Sequence, residues 1–353
     1  MKRKFLLLSA VSLAVLSSCN KKEEAVKPEF KDGKTYAIRD FVKIVGVSTY
    51  TDLNNAATKL SISIQNLETN TSPWNLGEAQ NLWKRMHSVW KLSSALHFGP
   101  VDEGGYADKL DRSPANINEL NILLADHNKS LEQSDIEKLP DDQKSMHCME
   151  YILFGKDGSR KAETLTAREK KYLSSLAKNM QKSFQDIYQS WTNSFYNDIF
   201  FAGTTSTKFK SKKALFVAMA DGMRKACENL VKNDLGRPYD FTDSSRTESP
   251  YSNTSLENVK VAMTGVKNAY YSTYGLDSGY GLKYVVTEKN SGLDSKFSDR
   301  LKQANTALDK LSPTLDKALY TQLQDVKVAI DAIDSLRSTL ELEMKPFFNT
   351  IED

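Results

Sequence analysis

Apolar residues recur at intervals of three and four along most of the chain, the spacing that places side chains on one face of an α-helix. The longest such stretch predicts a helix from Thr164 or Thr166 to about Phe201. No alternation of apolar and polar residues lasts long enough to form a sheet, and Tyr284-Val285-Val286 is too short to count as a strand. The pattern therefore predicts an all-α fold. Further helices are predicted over about 35–68, 75–97, 141–154, 211–235 and 253–274, and two more near the end of the chain, separated at Ser312-Pro313.

The beginning of the chain has the features of an export signal. Lys2-Arg3-Lys4 precedes an apolar run from Phe5 to Leu16, which is too short to span a bilayer. The run ends in Leu16-Ser17-Ser18-Cys19, which resembles a bacterial lipobox. We therefore expect a signal peptide over 1–18, lipidation of Cys19, and a polar tether over 19–33 that holds the folded body near the membrane. The expected location is the cell envelope, on the periplasmic or the outer-membrane face.

Composition and charge exclude several classes of protein. Hydrophobic residues make up 40% and charged residues 26% of the chain, which is typical of a folded domain and not of a disordered or polytopic membrane protein. Loss of the three basic residues of the leader leaves 45 basic and 45 acidic residues. A neutral body gives no electrostatic reason to expect nucleic acid as a partner. Cys148 and Cys227 both lie in apolar helical patterns, which favours two separate buried thiols over a disulfide.

Common catalytic motifs are missing, which leaves the placement of the histidines as the main chemical signal. The sequence has no His-Glu-x-x-His motif, nucleophile elbow, Walker loop or dinucleotide-binding glycine motif. His97 and His127 lie at predicted helix ends, where an imidazole can interact with the terminal carbonyl groups. His87 shares a helix face with Trp83 and Trp90, which favours a packed, hydrogen-bonded histidine over a metal ligand.

His147 differs because Glu150 follows it on the same face of a predicted apolar helix. A histidine and a carboxylate presented together can bind a divalent or iron cation. The alternative is a hydrogen-bonded pair within the core. One such pair supplies too few ligands for tight binding, so another carboxylate must come from elsewhere in the fold or from the ligand. The candidates in the sequence are Asp102, Glu103, Glu248 and Glu257.

The residues around this pair resemble the imelysin family. Met146 to Gly155 reads like the Gly-x-His-x-x-Glu motif of that family and the residues that follow it, although Ser145 replaces the glycine. Phe98-Gly99-Pro100 and the segment from Glu248 to Asn258 are similar to two further family motifs. The resemblance implies two packed helical bundles that form a pseudo-repeat, over 34–160 and 161–353, with a site between them. It also implies a link to iron uptake, a historical metallopeptidase label, and Arg85, Ser255 and Asn258 as further ligand-binding residues.

The sequence thus favours an exported lipoprotein that binds a metal ion or a small metal-containing ligand, with His147 and Glu150 as metal ligands and Arg85, Asp102, Glu103, Ser255 and Asn258 as ligand-binding candidates. Two alternatives stay open. One is a metallopeptidase, for which a zinc site would need three protein ligands and an open position for water. The other is a glycan- or peptide-binding lipoprotein, because tyrosines crowd the second half of the chain.

Overall fold

The structure of the protein, a computed structural model, describes residues 30–352. The predicted signal peptide, Cys19 and most of the predicted tether lie outside this range. Residues 30–33, predicted as the end of the tether, belong to the first helix. None of the described helices is long and apolar enough to cross a membrane.

The described chain is all-α apart from a short hairpin, as the apolar pattern predicts. Residues 284–286, which were too short to count as a strand, lie within α14. The strands β1 (Thr273–Tyr274) and β2 (Asp277–Ser278) pair antiparallel. The helices are α1 (Phe30–Asp40), α2 (Ser48–Thr69), α3 (Pro73–Leu92), α4 (Pro100–Glu103), α5 (Tyr106–Asp111), α6 (Ile117–Ala125), α7 (Gln133–Glu137), α8 (Met146–Phe154), α9 (Ala167–Thr192), α10 (Ser194–Phe200), α11 (Lys212–Asn229), α12 (Gly236–Phe241), α13 (Ser255–Tyr271), α14 (Leu282–Lys289), α15 (Ser291–Asp309), α16 (Leu315–Thr321), α17 (Leu323–Thr339) and α18 (Lys345–Thr350).

Several helix boundaries follow the local sequence signals. Ser72 caps α3 by accepting a hydrogen bond from the Asn75 amide, and Pro73 occupies the first turn. Thr166 and Glu169 form a reciprocal capping box at the start of α9. The predicted break near Ser312-Pro313 is confirmed, since it falls between α15 and α16.

Two groups of helices carry most of the packing. In one group α2 packs against α3 and α9, and in the other α15 packs against α17 while α11 packs against α17 and α18. The helix α13 joins the groups through its contacts with α3 and α11. The division of the chain at residue 160 stays a prediction, and α9, which follows that position, packs mainly with the N-terminal helices.

Two glycines bring the second group close to the end of α3. A Cβ atom at Gly265 of α13 would lie 2.2 Å from the Leu92 carbonyl oxygen, and one at Gly222 of α11 would lie 2.4 Å from the Ala95 carbonyl oxygen. Only a hydrogen fits in such a space, so both helices approach this backbone closely. This approach holds the start of α13 beside α3, where the polar site described below is located.

We expect Gly265→Ala to destabilise the protein by about 1–3 kcal/mol, because the added methyl group meets a backbone carbonyl that cannot rotate away. Gly77→Ala is the matched control, since a Cβ at Gly77 of α3 would meet no atom within 4 Å. The control should instead stabilise by about 0.5–1 kcal/mol, the usual gain from replacing a glycine inside a helix. Chemical denaturation measures both, and equal effects of the two substitutions would contradict the close approach.

Candidate functional site

Four side chains from distant parts of the sequence converge between the two groups of helices. They are His87 of α3, Asp111 at the end of α5, His147 of α8, and Glu248 in the connection between α12 and α13. One potential ligand atom from each lies within 4.8 Å of the other three. His87, His147 and Glu248 are buried, whereas the Asp111 side chain retains 15% of its exposure. We call these four residues the central cluster.

Both imidazoles direct Nε2 at the same two carboxylates. His87 Nε2 lies 2.9 Å from Glu248 Oε1 and 3.3 Å from Asp111 Oδ1. His147 Nε2 lies 3.0 Å from Asp111 Oδ1 and 3.5 Å from Glu248 Oε1. The two rings meet edge to face with their centroids 5.4 Å apart. This arrangement of two imidazole nitrogens and two carboxylate oxygens is a donor set that suits iron and other transition metals.

Glu150 lies behind His147 and orients it. Its Oε2 is 3.2 Å from His147 Nδ1. Its Oε1 accepts hydrogen bonds from the Tyr251 amide, the Ser252 amide and the Ser252 hydroxyl at 3.1, 2.8 and 2.7 Å. A carboxylate bound to the far nitrogen of a histidine fixes the ring for metal binding at the other nitrogen. Glu150, predicted as a metal ligand, is therefore placed as the residue that orients His147 and secures the 251–252 loop.

Asn258 has the corresponding position behind His87. Its Nδ2 lies 3.3 Å from His87 Nδ1 and donates to Glu248 Oε2 at 3.0 Å. The Ser249 hydroxyl also donates to Glu248 Oε2, at 2.8 Å. Ser255 supports this loop, because its hydroxyl accepts a hydrogen bond from the Ser249 amide at 2.8 Å. Both Asn258 and Ser255 therefore belong to the site, where they help to position Glu248 and His87.

Lys91 neutralises the carboxylates of the cluster. It lies one helical turn after His87 on α3, and its Nζ is 3.0 Å from Asp111 Oδ2, 3.0 Å from Glu248 Oε1 and 3.5 Å from Asp234 Oδ2. The side chain is 3% exposed. Asp234 ends a π-helical turn, Leu230–Asp234, that follows α11. Wide helical turns of this kind occur frequently at functional sites.

Burial and the attraction between opposite charges shift the pKa of each ionisable side chain of the site in opposite directions. Burial disfavours the charge on Lys91, but Asp111, Asp234 and Glu248 outweigh it and hold the pKa of Lys91 well above its usual value. Burial likewise opposes protonation of His147, yet its hydrogen bonds to Asp111 and Glu150 raise its pKa to about 10. Burial raises the pKa of Asp234 to about 6 against the pull of Lys91. The imidazole of His147 is therefore protonated at neutral pH, and a cation would have to displace that proton.

The other two histidines lie outside the central cluster. His97 is partly buried, 2.9 Å from the Ser93 hydroxyl and with its ring centroid 4.3 Å from that of Trp90, and desolvation lowers its pKa to about 3. His127 is exposed after α6. The sequence favoured His87 as a packed, hydrogen-bonded histidine over a metal ligand. In the structure it also lies beside the potential ligand atoms of three other residues. The signal was present, since Trp83, His87 and Lys91 repeat every four residues and place two polar groups on a buried stripe.

Of the predicted ligand-binding residues, Arg85, Asp102 and Glu103 lie apart from the central cluster. Arg85 is exposed and lies 3.7 Å from Asp52. Asp102 pairs with Lys225 at 2.5 Å, and Glu103 pairs with Lys208. Glu257 is exposed on α13. Glu248 is the one carboxylate among the four sequence candidates that reaches the cluster. The second carboxylate of the cluster belongs to Asp111, which was not predicted from the sequence.

The free thiols are as predicted. Cys148 and Cys227 are both free and buried, and burial raises their pKa values to about 11 and about 12. Neither thiol is therefore a reactive thiolate at neutral pH.

Comparison with known proteins now identifies the family. The sequence model of the imelysin family matches residues 46–342. The chain belongs to the imelysin family. It is 22% identical to iron-regulated protein A of Synechococcus elongatus over 318 residues, which cover 88% of this chain and 85% of that protein. This confirms the predicted resemblance.

Two solved structures share the fold of this imelysin-family chain. One is a candidate iron-regulated protein A precursor from Parabacteroides distasonis, with a TM-score of 0.79 and 21% identity over 92% of this chain and 97% of that chain. The other is an imelysin-like protein from Psychrobacter arcticum, with a TM-score of 0.69 and 14% identity over 92% of this chain and 98% of that chain. The likeness extends over nearly the whole chain in both cases.

We expect Lys91→Met to destabilise the metal-free protein by about 3–5 kcal/mol, because the buried carboxylates lose their shared cation. A divalent cation should raise the thermal midpoint of this variant more than that of the wild type, since it replaces the lost charge. Lys232→Met is the control, because that lysine is exposed and pairs with Glu228 one turn before it. Equal stability of Lys91→Met and the wild type would show that Lys91 is not coupled to the cluster.

Proposed function

We propose that this protein is an exported lipoprotein that binds a transition-metal cation, free or in a small chelate, at the central cluster, and that it serves iron acquisition. The observation that carries the proposal is the convergence of two imidazole nitrogens and two carboxylate oxygens in a buried site. His147 has its second nitrogen held by the Glu150 carboxylate, which is the usual arrangement around a bound metal. The name of the Synechococcus relative, an iron-regulated protein, supports iron as the first cation to test.

One buried carboxylate oxygen of the cluster favours a bound cation in particular. Glu248 Oε1 is buried, and it makes no hydrogen bond of good geometry with any described residue, although His87 and Lys91 lie close to it. A buried carboxylate oxygen without an aligned donor is costly. A metal ion at the centre of the cluster would satisfy it, and both Nε2 atoms would bind the ion once deprotonated.

A metallopeptidase is the second candidate, because the cluster offers enough ligands for a catalytic zinc ion. Such a site also needs an open coordination position that a peptide bond can reach. His87 is fully buried, and His147 and Glu248 are each 2% exposed, which favours binding of a small species over cleavage of a polypeptide. The glycan or peptide alternative is less supported, since the Tyr270 and Tyr274 hydroxyls bond internally to Asp294 and Asp52.

We expect the metal-stripped wild type to bind Fe²⁺ under anaerobic conditions in calorimetry, with one cation per chain. His87→Ala and His147→Ala remove donor atoms, so each should lose at least about tenfold in affinity, and Glu150→Gln should lose about 10–100-fold because it frees the His147 ring. His127→Ala is the matched control, because that histidine is exposed and does not belong to the central cluster.

The outcomes distinguish cation binding, a purely structural ion network and peptide cleavage. Absence of cation binding by the folded wild type, or equal affinities in all variants, would reduce the central cluster to a self-neutralising ion network. Metal-dependent cleavage of peptides that His147→Ala abolishes would favour the metallopeptidase. Circular dichroism of each metal-free variant checks that a loss of binding is not a loss of folding.

Lipidation at Cys19 is a separate expectation. The lipobox predicts that mass spectrometry of the membrane fraction finds a mature chain that begins at a diacylated Cys19. Cys19→Ala should release the protein from the membrane, because the lipid is its predicted anchor. Ser18→Ala keeps a small residue before the cysteine and should leave the anchor in place. A mature wild-type chain that is unmodified and starts at another residue would contradict the prediction.

A further inference from the structure

A pocket of about 410 Å³ opens beside the central cluster, between the two groups of helices. Its walls come from α3, the segment around α4 and α5, α11, and the chain from Asn233 to Arg237. A cavity of this size fits a small molecule and is far larger than a single ion requires.

The pocket meets the cluster from the carboxylate side. Asp111, Glu248 and Lys91 line it, whereas His87 and His147 are not among its lining residues. The imidazoles are closed off on the other side by their contacts with Glu150, Asn258 and the Trp83 ring, which lies 4.8 Å from the His87 ring. Coordination positions of a cation that the protein leaves free would therefore face the pocket.

Arg237 is the pocket cation that lacks a carboxylate partner among the described residues. Its Nη1 and Nη2 donate to the Ser113 carbonyl and hydroxyl oxygens at 3.0 and 3.1 Å, and its Nε donates to the Arg246 carbonyl oxygen at 3.3 Å. Burial lowers the pKa of Arg237, and the more distant carboxylates of Asp234 and Glu248 offset this only in part.

The other basic residues of the pocket differ in this respect. Lys225 pairs with Asp102 at 2.5 Å, Arg112 lies 3.4 Å from Asp108, and Lys91 is held by the cluster itself. The pocket thus has a guanidinium without a direct carboxylate contact at one part of its wall and the carboxylates of the central cluster at another. A guanidinium is well suited to a carboxylate, which it can bind through two parallel hydrogen bonds.

From this geometry we infer that the pocket takes a small molecule with several carboxylate groups, which binds together with the cation. Some of its carboxylates complete the coordination of the metal, and another binds Arg237. The inference rests on the proposed function, because it needs a cation at the central cluster. It adds the chemical class of the second ligand and the residue that recognises it.

Equilibrium dialysis with radiolabelled citrate, with and without Co²⁺, tests the inference on the full-length mature protein. We expect one citrate per chain, bound at least about tenfold more tightly when Co²⁺ is present, since the metal supplies part of its binding energy. Arg237→Gln should reduce the citrate affinity in Co²⁺ by at least about tenfold, through loss of the charged hydrogen bonds. This loss should exceed any change in the affinity for Co²⁺ alone.

Arg300→Gln is the control, because Arg300 is on α15 and bonds only to Gln303 among the described contacts of its guanidinium. Arg237→Lys keeps the charge without the paired hydrogen bonds and should recover part of the citrate affinity. The effect of Co²⁺ on citrate affinity is measured on the wild type alone. It therefore tests the inference even where Arg237→Gln fails to fold.

Three results would overturn the inference and leave the proposed function intact: Co²⁺ binding that citrate weakens or does not change, citrate binding that Arg237→Gln retains in full, and an equal gain with phosphate. Phosphate is the informative competitor because it offers a compact oxyanion without several carboxylate arms. Failure of Co²⁺ to bind under every condition would instead count against the proposed function itself.

Discussion

The rest of the structure depends on the mutual neutralisation of buried charges around Lys91. Its ammonium contacts Asp111 and Glu248, which also contact the two imidazoles of the cluster. Charges removed from water are tolerated only when opposite charges and hydrogen bonds surround them. Since the partners come from both halves of the chain, a shift of one group of helices against the other would separate these charges. The network thus selects a relative position of the helices that apolar packing alone would leave less specific.

The same network gives the site its chemistry. Glu150 holds the imidazole of His147 through Nδ1 and is itself held by the backbone at Tyr251 and Ser252, so the ring cannot rotate freely. A site assembled in advance loses little entropy when it binds a cation. In the absence of a cation, the positive charges of Lys91 and His147 offset those of the carboxylates, although Glu248 Oε1 keeps no aligned hydrogen-bond donor. Stability without a cation and the proposed affinity for one are therefore set by the same side chains.

Backbone features far from the cluster bring its parts together. Gly265 allows α13 to approach Leu92 closely, and this places Asn258 beside His87. The π-helical turn that ends at Asp234 inserts an extra residue per turn and directs that carboxyl group to Lys91. The pocket lined by Arg237 lies on the same side. Packing, site and pocket are thus parts of one arrangement at the junction of the helix groups.

The sequence by itself determined the all-α fold, most helix boundaries, the His147–Glu150 pair and the family, because helix periodicity, capping and a short motif are properties of neighbouring residues. It suggested Glu248 only as one of four equivalent carboxylates. Tertiary structure alone decided the rest: that Glu150 orients His147, that His87 and Asp111 join the cluster, and that Arg85 does not. These outcomes depend on contacts between residues far apart in the chain, and no local pattern encodes which of many buried or acidic side chains will meet.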